Sequence, residues 1–579
     1  MPFQISPGVT ITEKDLTTVV PSVSTTIGGI VGEFGWGPCN EKVRITSENE
    51  LVALFGEPTL DNAKYFWPAA NYLGYGDNLL VVRGIAVDAR NAAVKADATA
   101  GEVDLIENGD DYDGSTLTDA LFFAKYPGLL GNSLEVYAID NAGWNADLSG
   151  DATALAIQNK FKAAFISEPK TSADAEASAG ENGLDEMHIM IIDKTGMIAK
   201  VANDVIETHA FVSKAFDARR QDGSNNYVVN VLRNESQYVY AGKLAQFGAD
   251  VGQPKTTTFG ALTSNIIGGQ LQGGLDGSAL TGTELMAGYD QFDNAETVDV
   301  TLLMQGGSAG LAVKADANAV GAYVRNIADT RKDCVAFVSP HHDSCVAVAD
   351  NTAIMTEIKL DKEALGSSSY GVMDSAWKYQ YDRYRDVFVN VPMNGDIAGL
   401  CARTDFTNDP WYSPAGVSRG TIKNIVKTSW HARKADRDEL YKLSINPFAT
   451  RVGEGIQLFG DKTMLLRPSA FDRINVRRLF IILEKSIAIA ARNLLFEFND
   501  EFTRSQFVNI VAPFLREVQG RRGITDFKVV CDSTNNTGQV IDTNRFVGDI
   551  YVKPTRSINY IQLNFVASRT DVSFTELGA

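Results

Sequence analysis

Two stretches of this 579-residue chain hold residue types whose spacing could do chemistry. In GEGIQLFGDKT, Gly455 and Gly460 have the four-residue gap of a phosphate-binding loop, where backbone N–H groups cradle phosphate oxygens and a lysine follows the second glycine. Asp461 stands where that lysine belongs, sets a carboxylate among the phosphates, and displaces Lys462 and Thr463 from the helix start. A glycine-rich surface loop is therefore expected there, and a nucleotide-dependent enzyme is the weakest of three functional hypotheses. In SPHHDSC, the residues His341, His342, Asp343 and Cys345, with Cys334 upstream, are of zinc-ligand type. Adjacent histidines rarely converge on one tetrahedral ion, and no second ligand pair stands at finger spacing, so a polar loop after a strand is expected. GxSxG is absent and no cysteine has a recognisable histidine partner. No catalytic, cofactor-binding or metal residue is assigned, and the chain is not expected to be an enzyme.

A third stretch carries charge rather than catalysis. Residues 468–498 combine a long amphipathic pattern with clustered cations. Leu479, Ile482, Leu483, Ile487, Ala490 and Leu494 recur at the i, i+3, i+4 spacing of a helix with one buried face. Arg473, Arg477, Arg478 and Lys485 lie mostly off that face, in its N-terminal half, where the helix dipole favours acids. A helix that forgoes this stabilisation could present positive charge to a partner; a solvated basic face is the plainer reading.

The remaining elements must position these groups. Val9, Thr10, Ile11 and Thr12 alternate as a strand does, between Pro7-Gly8 and Pro21, and read as a tethered arm that must pair with its own domain or a neighbour. Apolar strands are expected at 27–34, 79–83 and 334–339, with helices at 48–54 and 62–73. Islands at 134–139, 188–192, 228–232 and 298–304 read as strands within acidic Ala/Gly/Asp-rich sequence, 273–277 as a loop, and 283–292 as a helix start. Farther on, 421–441 reads as a helix, and a second long helix at 502–518 should kink at Pro513. Strands are expected at 527–531, 546–552 and 558–566, and the tail that follows, with Val572 and Phe574, could add one more. The expected fold class is α/β and α+β multidomain. It comprises an N-terminal arm (1–21), a discontinuous middle α/β domain (22–86 and 331–375), one or two inserted β-rich outer domains (87–330), a C-terminal mixed α/β domain (376–567) and a C-terminal arm (568–579).

Composition limits the partners. Hydrophobic residues make up 44% and aromatics 9%, as in an ordered globular protein. No run of about 18 apolar residues exists, so no membrane insertion is expected, and the first residues, MPFQISPGV, show no secretory signal. Five scattered cysteines read as reduced thiols of a protein made in the cytoplasm. The net charge of −19 divides unevenly, with +6 over 376–579 and −25 over 1–375. That division suits an acidic, water-facing part and a second part that meets an acidic partner. Nucleic acid is a poor candidate, because basic and aromatic residues do not interleave.

FDRINVRRLF at 471–480, followed by EKSI, resembles the C-terminal domain of contractile tail sheath proteins of long-tailed, T-even-like bacteriophages (myoviruses). SPGV at 6–9, GEFGWGP at 32–38 and FGEPT at 55–59 are similar to the opening of that family. KYQYDRY at 378–384, DIAGLCARTD at 396–405 and SPAGVSRG at 413–420 resemble its later blocks, and CDSTNNT at 531–537 and RSINYIQLNFVA at 556–567 its end. The resemblance implies a structural subunit that stacks as six-fold rings around a tail tube, forming a metastable sheath whose contraction drives the tube through the host envelope. It places the C-terminal domain and N-terminal arm innermost and inserted domains outward. It implies as partners further copies of the chain, the tail tube protein, and the baseplate and tail-terminator proteins, with no direct nucleic acid contact. Location would be the virion, after assembly in the host cytoplasm. On this reading Arg473, Arg477, Arg478 and Lys485 face the tube or a neighbouring subunit, and Val9, Thr10, Ile11, Thr12, Val572 and Phe574 form inter-subunit arm strands. A sheath or baseplate component of a related contractile injection system is the alternative.

Overall fold

The computed structural model describes residues 26–94, 105–114, 120–180, 183–242, 247–248, 250–346, 348, 350–451, 453–559 and 562. The expected arm strands, with Val9, Thr10, Ile11, Thr12, Val572 and Phe574, lie outside the described residues, as does most of the expected strand 558–566. The described residues form two compact units, one within 26–407 and 414–472, the other of 408–413 and the described residues from 473 onward. The second unit therefore begins at Arg473 rather than at 376, and it also takes up a six-residue segment from upstream.

The larger unit is built on a six-stranded sheet in the order Gly371–Met373, Val335–Val338, Leu302–Met304, Gly28–Gly32, Leu79–Arg83, Lys42–Ile45. All pairs are parallel except the last, which is antiparallel at the edge. Parallel strands need crossovers, and the helices Lys314–Arg331 and Asn351–Leu365 supply two of them. Gly28 and Gly32 let the helix Ala63–Leu73 press onto the central strand: a Cβ there would come within 2.7 Å of the Tyr72 ring and 2.9 Å of Tyr65 Cβ. Val31, Val82, Leu285, Phe292, Val320 and Val324 fill one core cluster of this layer.

Leu302–Met304 thus stands in the centre of this sheet, and Lys314–Arg331 packs on it, so the insertion does not extend to 330. The rest of the expected strand 298–304 stays irregular: Val298 and Thr301 spend their carbonyls on Arg331 and Val335 instead. The inserted region leaves the sheet after Arg83 and closes on itself at a neck, where Ser278 donates through N–H and hydroxyl to the Asp88 carboxylate at 2.9 and 2.6 Å. Within it lie a four-stranded antiparallel sheet (Ile266–Gln270, Leu134–Asp140, Glu186–Asp193, Asp204–Ser213) and a three-stranded one (Ala93–Val94, Phe122–Ala124, Val239–Ala241), over one core that includes Val136, Ile189, Leu232 and Phe247. Residues 228–232, expected as a strand, belong to the helix Val228–Glu235. Val228, Val231 and Leu232 are its buried positions, an i, i+3, i+4 set.

The expected helix at 421–441 also differs. Lys427–Thr428 pairs with the strand Trp377–Asp382, and only Lys434–Lys442 is helical. Trp430 Nε1 donates to the Ser375 carbonyl at 2.8 Å, and the Ser429 hydroxyl accepts from the Trp377 N–H at 3.2 Å. These non-local contacts outweigh a local helical preference.

The smaller unit holds the helices Ile474–Arg492 and Glu501–Gly520 over a two-stranded antiparallel ribbon, Ile524–Val530 with Asp549–Pro554. The expected apolar face is the buried one: Leu479 and Leu483 pack with Phe507, Val511, Leu515 and Ile524. Asp500 caps the second helix by accepting the Thr503 N–H at 2.8 Å, and Pro513 lies inside that helix. Phe546, expected in the last strand pair, instead packs edge-on to Phe507 at 5.5 Å. No described helix is long and apolar enough to cross a membrane.

Candidate functional site

The stretches that suggested chemistry use their polar groups internally. Gly455–Leu458 is a strand paired antiparallel with Phe448–Arg451, so these residues do not curl into a phosphate cradle, and the next described helix after this strand begins only at Ile474. Lys462 donates to the Tyr441 carbonyl at 2.7 Å and lies over the Tyr441 ring at 4.5 Å. His341 is buried, with Nε2 donating to the Leu311 carbonyl at 2.8 Å while Nδ1 accepts the Asp343 N–H at 3.3 Å to cap the short helix His342–Cys345. His342 pairs with Asp343 at 2.7 Å, and burial pushes the Cys345 thiol pKa upward. Among the described residues no three His, Cys, Asp or Glu side chains gather as a metal-holding group. The cysteines Cys39, Cys334, Cys345, Cys401 and Cys531 are all buried free thiols.

The crevice beyond the carboxyl ends of parallel strands is where open α/β sheets bind ligands. Here side chains of the protein occupy it. Gln305, Ser339 and Asp374 directly follow three neighbouring strands and are all buried. Gln305 accepts the Ser339 N–H at 3.1 Å, and the Ser339 hydroxyl donates to Asp374. Asn394 exchanges two hydrogen bonds of 3.1 Å with the backbone of Gly306, which ties the start of the helix Asn394–Thr407 to the same layer. Burial pushes the Asp374 pKa up to about 8. One turn farther, Lys378 and Asp396 form an ion pair at 2.9 Å with no exposed side-chain surface. Nothing in local periodicity announces this network; its members are polar residues placed just after apolar strands.

In the smaller unit Arg473 is the N-cap of the helix Ile474–Arg492, Arg477 and Arg478 lie in its first turns, and Lys485 lies past its midpoint. Arg477 and Arg478 are 6% and 4% exposed, and Arg473 and Lys485 are half-buried. The first turns, Ile474 through Leu479, are buried on every side rather than on one. Asn475 of this turn reaches the carbonyls of Trp411 and Thr555 at 3.4 and 3.5 Å, so segments distant in sequence lie over a side that periodicity leaves open. Trp411 is fixed in turn by donating Nε1–H to the Arg521 carbonyl at 3.0 Å, with Arg521 paired to Asp409.

Two features of this unit suit contacts with another molecule. The ribbon Ile524–Val530/Asp549–Pro554 has no third strand among the described residues, so neither of its edges has a strand neighbour there. The turn between the two long helices displays Leu495, Phe496, Phe498 and Phe502, from 63% to 105% exposed. Its signal in the sequence is NLLFEFNDEF, where apolar residues crowd together beyond the last position of the helical stripe. Clustered exposed aromatics mark interaction surfaces.

Residues 467–568 match the family described as phage tail sheath C-terminal domain, residues 279–464 the phage tail sheath protein central domain, and residues 25–83 the tail sheath protein Gp18 domain III N-terminal region. The chain is 33% identical to the tail sheath protein of Enterobacteria phage T4, with 99% of each chain covered. It is 32% identical to that of Vibrio phage KVP40, again over 99% of each. Sheath tail proteins from Desulfitobacterium hafniense and Listeria innocua share the fold at 12% identity and a TM-score of 0.52, covering 91% and 92% of this chain and 94% and 96% of theirs.

Proposed function

The chain belongs to the phage tail sheath protein family, and from that premise we propose how it works as the structural subunit of a contractile tail sheath. Identity along the whole length with two tail sheath proteins carries this conclusion. Copies stack as six-fold rings around a tail tube, in contact with the baseplate at one end and a tail terminator at the other. The subunit resides in the virion after assembly in the host cytoplasm, and its work is mechanical rather than catalytic. A part in another contractile injection system is less well supported, because the full-length relatives are phage tail proteins.

The open ribbon supports a specific means of linkage. A two-stranded ribbon is marginal alone, and strand addition to an exposed edge supplies main-chain hydrogen bonds whatever the side chains. The arm residues Val9, Thr10, Ile11 and Thr12, with Val572 and Phe574 at the other end, have the alternation such an added strand requires. Arms lent to neighbours hold subunits together while other contacts change during contraction. Arg473 and Lys485, with Arg477 and Arg478 behind them, offer positive charge to an acidic tube or neighbour. Electron microscopy of the purified protein tests this function: striated tubes are expected, and a truncation lacking residues 1–20 should stay folded without forming them. Normal tubes from the truncation would remove the arms from the assembly mechanism.

A further inference from the structure

The inserted region contains a cleft of about 470 Å³ that the sheath role leaves unused. Its size suits a small ligand. One wall is the edge strand Asp204–Ser213, and the others are the turn 219–226 and the start of the helix Ala173–Ala179.

Phe211 lines this cleft in a backbone conformation that bulky residues avoid, with φ at 54°. It sits where the pairing with Glu186–Asp193 slips between Met187 and Ile189, a bulge that re-aims a side chain. Both of its backbone groups are held by side chains. The Phe211 N–H donates to His188 Nδ1 at 3.0 Å, and its carbonyl accepts from Asn226 Nδ2 at 2.8 Å. His188 completes the lock by donating Nε2–H to the Ser167 carbonyl at 2.9 Å. Strain of this kind, fixed from both sides, points to a use for the ring it positions.

The remaining lining is polar but electrically balanced. Asp174 is paired with Lys255 at 2.7 Å and Arg220 with Glu235, and the two remaining charges of the lining, Glu186 and Arg219, are of opposite sign. Such a site has no net charge with which to hold an ion. It offers directional donors and acceptors from Arg219 and Gln221 beside the Phe211 ring, which also packs edge-to-face with His188 at 4.6 Å, while the Asn226 amide is held by the Phe211 carbonyl and by Arg220 Nε. That combination matches a pyranose, whose C–H face stacks on an aromatic ring while its hydroxyls bond to planar polar side chains.

We propose that this cleft binds a neutral saccharide, with Phe211 as the stacking platform. The test is saturation-transfer NMR on the full chain with glucose, galactose, mannose and N-acetylglucosamine, repeated for Phe211→Gly and Gln221→Ala. Glycine accepts the left-handed backbone, so Phe211→Gly removes the ring and keeps the bulge; Gln221 is exposed, so its truncation leaves the core intact. Transfer to at least one sugar is expected, at least tenfold weaker for Phe211→Gly and reduced for Gln221→Ala. Absence of transfer to all four sugars, signals unchanged in both variants, or displacement of the sugar by inorganic phosphate would each overturn the proposal.

Discussion

Lys378 Nζ lies 2.9 Å from Asp396 Oδ1, and the Tyr75 hydroxyl donates to the same oxygen at 3.2 Å. This buried pair ties the strand Trp377–Asp382 to the first turn of the helix Asn394–Thr407, where the carboxylate also meets the positive end of the helix. Burial pushes the lysine pKa down and the carboxyl pKa up, so each depends on its partner to stay charged. Lys378→Met or Asp396→Leu alone should cost about 3–5 kcal/mol, because each strands the other charge in the core. The double replacement should recover most of that loss in urea unfolding. Single costs that simply add would mean that the two residues are not coupled.

Asp374 should make stability fall as pH rises. Its folded pKa, about 8, lies above the ordinary carboxyl value of 3.8 because the group is buried. Between those limits the folded state keeps a proton that the unfolded state has lost, so the contribution is full below about pH 4 and is lost by about pH 8. The slope should approach about 1.4 kcal/mol per pH unit within that window. Urea midpoints at pH 5, 6, 7 and 8 should show it for the parent chain and a flatter profile for Asp374→Asn. Equal slopes would exclude Asp374 as the source.

Trp411 should stabilise the smaller unit although it belongs in sequence to a segment flanked by the larger one. It packs with Leu479, Leu483 and Val518 and is anchored through the Arg521 carbonyl. Trp411→Ala should cost about 3–5 kcal/mol, all of it in one calorimetric transition. A uniform shift of both transitions would mean that the two units unfold together.

How much of this was legible in the sequence depends on how local each cause is. Leu79–Arg83 is a contiguous apolar run in a parallel sheet buried on both faces, and its limits can be read directly. The stripe Leu479, Leu483, Ile487 belongs to one helix and shows equally well. Val228–Glu235 shows the limit of short apolar runs, where five residues fit either period and only burial of 228, 231 and 232 decides. Leu302–Met304 is three residues long, and its place at the sheet centre is fixed by partners about 270 residues upstream, Gly28 to Ile30. For the basic cluster, residue type and helical position were visible. The burial of Arg477 and Arg478 was not, because what covers that turn comes from distant segments.

That burial separates the four cations into two pairs with different expected behaviour. Arg477→Glu should lower the melting temperature of the smaller unit sharply, since it reverses a charge inside the fold. Arg473→Glu and Lys485→Glu keep part of their surface in water, so each should change stability by about 0–1 kcal/mol. Those two should instead weaken assembly on tubes, and the loss should be greater at low salt than at high salt. Unimpaired assembly of the Arg473→Glu, Lys485→Glu double variant would remove these residues from the tube or neighbour contact.

The inserted region should be dispensable for polymerisation. Its entry and exit meet at Asp88 and Ser278, and a Cβ on Gly277 would stand 2.9 Å from that of Ala86, so a short bridge can replace what lies between. Domain insertions are tolerated where the two ends are this close. The sheet below does not need the region for its own strands, which come from 28–83 and 302–373. Replacement is not free of cost. Arg83 donates to the carbonyls of Phe34, Gly37 and Pro127 at 2.8, 2.9 and 2.8 Å, and loses the last of these. Trp36, now buried against the inserted core, becomes exposed. A chain with residues 89–277 replaced by Gly-Ser-Gly should therefore melt lower than the parent yet still form tubes, thinner on the outside in electron micrographs. A folded variant that never polymerises would show that the inserted region supplies contacts between subunits, and that the division between lattice and exterior does not fall at the Asp88–Ser278 neck.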